Sequence, residues 1–268
     1  MKISDKIPTS MTLKDIEKAK KELADKLAAD LNEAAKNRDP AEPDKFMETK
    51  AGTSRGGHKM ASILGNPDAS VVMIQMVDDH DFAIIDSEVS EIRKLTDGDF
   101  CLIAIKAGDW NADLSPWKAP AVFGKEDFGG GAKRTLEEVL QYCGDRGKTY
   151  IIGGYSLAGL FALWAAYQTD VFTAVAAASP SMWFPGFVDY MKEHEIYSKA
   201  VYLSLGDKEE KARNPVMASV GACIREANSI LMNNGIHTIL EWNQGNHFKD
   251  ADIRTAKAFA WARSVEKT

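Results

Sequence analysis

From Ser70 onward the chain alternates short apolar runs with longer segments of helical character, and this alternation restricts the fold more than any other feature. The runs are Val71–Val77, Phe100–Lys106, Tyr150–Gly153, Thr173–Ala178, Val201–Leu205 and His237–Trp242. Between them lie Ser87–Leu95, Arg134–Tyr142, Leu157–Tyr167, Pro185–Tyr197 and Pro215–Asn233, each long enough for a crossover helix. Parallel neighbours need such crossovers, and the crossovers cover the sheet. The pattern therefore predicts a mostly parallel sheet with helices on both faces. In that architecture function belongs to the loops beyond the carboxyl ends of the strands.

A chain of 268 residues, 45% hydrophobic and 27% charged, can bury one full α/β core. We expect residues 70–268 to form it, with residues 1–69 packed on it or extending it. Within the latter, Thr12-Leu13-Lys14-Asp15 reads as a capping box, and Leu13, Ile16, Leu23, Leu27 and Leu31 recur at helical spacing up to Asn37. The narrow apolar stripe fits the domain edge or a second copy, so a homodimer through this helix is one expectation. Residues 38 to 70, with three prolines and the run Gly52-Thr53-Ser54-Arg55-Gly56-Gly57, read as a turn-rich connection with room for a short strand.

The formal charge of −6 gives no electrostatic reason to bind nucleic acid. No apolar stretch approaches the roughly 20 residues needed to cross a bilayer, and the N-terminus has no apolar leader core, so a cytoplasmic protein without a membrane partner is expected. Cys101, Cys143 and Cys223 are odd in number and widely spaced, which predicts reduced thiols rather than a disulfide framework or a zinc site.

The strongest local signal is the run from Tyr150 through Gly153-Gly154-Tyr155-Ser156-Leu157-Ala158-Gly159 into an uninterrupted helix-former segment. An apolar strand, a glycine corner and a helix place Ser156 like the serine of a nucleophile elbow. Gly154 and Ala158 flank it where bulk would collide, although Ala158 stands where glycine is usual. The helix start would aim its dipole and the Leu157 N–H at an oxyanion beside Ser156.

A serine hydroxyl needs a base. His58 and His80 precede Ser156 and break the chain order nucleophile, acid, histidine; His194 lies in a helical segment, and His237 starts a strand. His247, in the turn after the strand ending at Trp242, fits. The orienting acid should follow Val201–Leu205, where Asp207, Glu209 and Glu210 are all eligible and spacing does not separate them.

These residues, with Phe172 to Phe184 (containing Ala178-Ser179-Pro180-Ser181-Met182-Trp183), Asp109 to Trp117, Phe128 to Ala132, Leu205-Gly-Asp-Lys-Glu209 and Gly245-Asn-His247, resemble the esterase family of α/β-hydrolases that includes esterase D, feruloyl esterases, the mycolyltransferases and the enterochelin esterases. The likeness runs in chain order over about residues 70 to 264 and leaves the N-terminal helix outside. It implies an α/β-hydrolase fold, a serine esterase acting on a small-molecule ester, no cofactor, and Ser156, His247 and Glu209 as nucleophile, base and acid. It also implies a second oxyanion donor just past the first core strand, the backbone N–H of Asp79 or His80. There Val77-Asp78-Asp79-His80 replaces the family's usual Leu-Asp-Gly.

Asp78, Asp79, His80 and Asp81 do not read as a metal site, because adjacent residues rarely converge on one ion without ligands from elsewhere. Trp110, Trp117, Tyr155 and Trp183 fall near strand ends and could line a substrate pocket. The resulting expectation is a serine carboxylic-ester hydrolase working through an acyl-enzyme. Its rivals are an acyltransferase on the same fold and a hydrolase-like binding protein that has lost catalysis.

Overall fold

Residues 60–96 and 99–265 are described by a computed structural model. The amphipathic segment at 12–37 and the connection up to residue 59 lie outside the described residues. All six expected strands form: β2 Val71–Val77, β3 Cys101–Lys106, β6 Thr149–Tyr155, β7 Phe172–Ala178, β8 Ala200–Gly206 and β9 His237–Asn243. A seventh, β1 Ala61–Gly65, adds to the edge, so that the order is β1-β3-β2-β6-β7-β8-β9. Every pairing is parallel except β1 with β3, where Ile63 faces Ile103. A separate hairpin joins β4 Lys118–Ala119 to β5 Phe128–Gly129.

The helices are α1 Asp79–Ala83, α2 Ile85–Leu95, α3 Trp110–Leu114, α4 Ala132–Leu140, α5 Ser156–Ala165, α6 Phe187–Glu193, α7 Pro215–Ala218, α8 Val220–Asn233 and α9 Ala251–Ser264. Because successive strand residues face opposite ways, each strand feeds two cores. Ile74, Ile152, Val175 and Leu203 meet Leu160, Phe161, Leu163 and Trp164 of α5 on one side. Met73, Ile151, Ala176 and Tyr202 meet Val89 and Ile92 of α2 and Phe259 of α9 on the other. Residues Leu157 to Ala165 of α5 are all buried, which explains a helix without a polar face. Among the described residues no helix is long and apolar enough to cross a membrane.

The sheet order places β6 at the centre, flanked by β2 and β7. The carboxyl ends of β2, β6, β8 and β9 therefore open on one edge, where the expected functional residues lie.

Candidate active site

Strand β6 passes into α5 without a connecting loop. The corner is made by Gly154 at φ 152° and Ser156 at φ 57°, both on the positive side that L side chains seldom adopt. A Cβ on Gly154 would come 2.7 Å from the Ala158 Cβ, so the missing side chain at 154 makes the room that Ala158 occupies. A left-handed serine costs about 1–3 kcal/mol and persists only where its surroundings hold it. Here they are a central strand and a fully buried helix. The Ser156 Oγ lies 3.0 Å from His247 Nε2 and 3.4 Å from the Ser181 Oγ, while the Ser181 N–H donates to the Ser156 carbonyl at 3.0 Å.

His247 follows β9 in a turn bound to the loop after β8. The Gly245 N–H donates to Asp207 Oδ1 at 2.7 Å, the Lys208 N–H to the Gly245 carbonyl at 3.1 Å, and the Tyr155 hydroxyl to the His247 carbonyl at 2.7 Å. These bonds present the imidazole between serine and acid. His247 Nδ1 lies 2.7 Å from Glu209 Oε2. A carboxylate there keeps the proton on Nδ1 and turns the Nε2 lone pair toward the serine hydroxyl.

The three carboxylates that spacing leaves equivalent are separated by geometry. Glu209, 8% exposed, faces the imidazole with Oε2, while its Oε1 accepts from the Gly206 N–H at 2.7 Å, the Ser179 hydroxyl at 2.9 Å and Arg254 Nη1 at 3.2 Å. Asp207 is committed to Gly245, and Glu210 to Arg225 at 2.9 Å.

Past β2, Asp78 caps α1 by accepting from the Asp81 N–H, and Asp81 returns the bond to the Asp78 N–H. Asp79 pairs with Lys106. The side chains of this acidic run are thus turned to capping and pairing. Burial, reinforced by the neighbouring Asp78 charge, pushes the Asp81 carboxyl up to about 6. The Asp79 and His80 N–H groups open α1, as the Leu157 N–H opens α5, and the first amides of a helix lack intrahelical acceptors.

The four aromatics expected to line a pocket divide. Trp183 lies two residues past Ser181, buried and edge-on to the exposed Phe123 at 5.8 Å; Trp110 is half-buried at the start of α3. Trp117 instead packs on Phe184 and Tyr190, each at 5.5 Å, and its indole N–H donates to the Pro185 carbonyl. Tyr155 turns inward, its hydroxyl bound to Arg254 and the His247 carbonyl, and burial pushes its phenol up to about 12. Tyr155 is thus engaged in holding the His247 turn, while Trp117 is half-buried in an aromatic cluster with Phe184 and Tyr190.

No protein-family model matches the sequence, and no curated protein matches it. Solved structures do. An IroE-like serine hydrolase from Shewanella oneidensis superposes with a TM-score of 0.61 at 14% identity, over 76% of this chain and 75% of that one. The siderophore hydrolase EstA from Aspergillus nidulans gives 0.56 at 17% identity over 76% and 89%. A dienelactone hydrolase from Anabaena variabilis gives 0.54 at 15% identity over 83% and 98%. The chain has the α/β-hydrolase fold.

Within this fold, sequence reasoning missed four neighbours of the site. Arg254 is 1% exposed and sits under Glu209. The signal existed: Arg254, Ala258 and Ala262 share one helical stripe, so a charge occupies an apolar position. Ser179 and Ser181, at 1% and 2% exposure, bind Glu209 and Ser156 through contacts that only the folded chain creates. Phe248, 88% exposed, stands edge-on to His247 at 5.5 Å.

Proposed function

We propose that this protein is a serine carboxylic-ester hydrolase that works through an acyl-enzyme on a small-molecule ester. The observation that carries the reading is the continuous relay from Ser156 Oγ through His247 to Glu209, at 3.0 and 2.7 Å. Such a relay activates a hydroxyl that is otherwise a poor nucleophile. The Ser156 Oγ attacks the carbonyl carbon while its proton passes to His247 Nε2. Glu209, accepting from Nδ1–H, stabilises the imidazolium. The Leu157 N–H and the Asp79 or His80 N–H receive the oxyanion. Collapse breaks the ester C–O bond and the departing alcohol takes the proton from Nε2. Water then repeats the sequence on the acyl-enzyme, releasing the acid and restoring Ser156. Turnover needs the neutral imidazole and so falls on the acid side.

The exposed Phe248 beside His247 and the half-buried Trp110 offer apolar surface for the parts of the ester that do not react. The structural neighbours are named as hydrolases, in keeping with this chemistry.

The test is p-nitrophenol release from short-chain and medium-chain p-nitrophenyl esters by wild type and Ser156→Ala. We expect turnover by wild type and a loss of at least a thousandfold in the variant. Turnover that survives the substitution, or none by either protein, overturns the reading.

A further inference from the structure

We propose that Arg254 is a positioning residue that keeps Glu209 an anion and holds the His247 turn in register with Ser156. The inference rests on the esterase reading and deepens it. Arg254 comes from α9, a helix on the far side of the sheet from the buried α5. Its guanidinium is almost wholly out of water. Nη1 donates to Glu209 Oε1 at 3.2 Å, the Tyr155 hydroxyl at 3.0 Å and the Ser179 hydroxyl at 3.4 Å; Nη2 donates to the Gln244 carbonyl at 3.3 Å. The Tyr155 hydroxyl passes the restraint on to the His247 carbonyl. One side chain therefore ties the acid, the residue before Ser156 and both ends of the turn that carries the imidazole.

The charge has a second effect. Among the described residues, Arg254 is the only cation touching Glu209 apart from His247 itself. A carboxylate as buried as Glu209 would otherwise take up a proton or hold one too firmly on its imidazole partner. The guanidinium opposes both: it stabilises the Glu209 anion, and it offsets part of the attraction that Glu209 exerts on an imidazolium. The other charged or titratable groups around the pair are placed differently. Asp207 is taken by Gly245, Tyr155 lies between Arg254 and the His247 carbonyl, Asp81 on α1 acts on His247 through space, and Lys249 and Asp250 are partly exposed beyond the turn. Removing the Arg254 charge should therefore make the Glu209–His247 pair easier to protonate by either route.

The experiment compares wild type, Arg254→Lys, Arg254→Gln and Arg254→Met. It reads the pH profile of kcat/KM on a p-nitrophenyl ester, and in parallel the His247 imidazole titration by NMR, which needs no turnover. We expect the acid limb and the imidazole titration to move up by about one pH unit in the Gln and Met variants and to stay in place with Lys. Plateau kcat should fall about tenfold in Met with little change in KM, since no substrate contact is lost. A Gln or Met variant that folds and titrates as wild type overturns the proposal, as does a uniform loss of rate with an unmoved limb. If Met does not fold, Gln, which can still reach neighbouring polar atoms, carries the same test. Failure of the esterase reading would appear as absent turnover while the NMR titration still reports on Arg254.

Discussion

Ser156 and Gly154 hold the corner in conformations that few side chains accept, and the spacing between them sets what the next turn may carry. A Cβ at 154 meets that of Ala158 at 2.7 Å on a backbone whose φ of 152° already disfavours it. We predict that Gly154→Ala costs about 2–4 kcal/mol, the sum of backbone strain and overpacking. Ala158→Gly alone should cost about 1 kcal/mol, the helix price of glycine. Adding it to Gly154→Ala should recover part of the loss, because the Cβ–Cβ collision disappears. Urea unfolding of the three variants checks this, and additive losses would refute the collision. Ser156 and His247 were legible because chain order and strand ends leave few choices. Glu209 was not separable from Asp207 and Glu210 by spacing, since the choice depends on which carboxylate the turn at Gly245 ties down. Arg254 showed as a charge on an apolar stripe, but its role was not legible, because its partners come from four other segments.

At the scale of elements, α2 packs against α9 on the same face of the sheet, with a carboxylate on its buried side. Glu88 is 4% exposed and faces the buried Gln75 side chain of β2. Burial, with the nearby Asp81 charge adding to it, raises the Glu88 carboxyl well above the usual carboxylate range. The sign follows from the proton balance. A group raised in the folded state binds protons more tightly there, so stability falls as pH rises from the unfolded value, 4.5, through the folded one. Asp81, raised to about 6, adds the same slope over the window from 3.8 to about 6. Glu88→Gln, which removes the ionisable group and can pair amide to amide with Gln75, should raise Tm by roughly 2–4 °C at pH 8. The gain should shrink toward pH 4.5, and thermal unfolding across this range measures it; a gain independent of pH would contradict the ionisation argument. The elements themselves followed from hydrophobic period, and all six expected strands formed within two residues of their expected ends. β1 was not individually legible, because five residues in a glycine- and proline-rich stretch carry too little pattern, and its antiparallel place at the edge depends on β3.

For the whole molecule, the parallel sheet gathers its functional loops on one edge, and among the described residues the site draws on β2, β6, β7, β8, β9 and α9. The expectation of a second copy meeting at residues 12–37 concerns residues outside the described ones. It rests on Leu13, Ile16, Leu23, Leu27 and Leu31, whose spacing makes a narrow apolar stripe that fits either the domain edge or a like partner. If that seam joins two chains, light scattering of the full chain should give twice the chain mass, and a chain beginning at Glu48, which retains β1, should give the mass of one such shortened chain. Ester turnover per serine should then be the same in both, because the relay is contained within one chain. The same number of chains per particle before and after removing the segment would overturn the dimer. A fall in turnover that accompanies the loss of mass would instead mean that the partner copy supports the open edge of the sheet, in contradiction to a site complete within one chain.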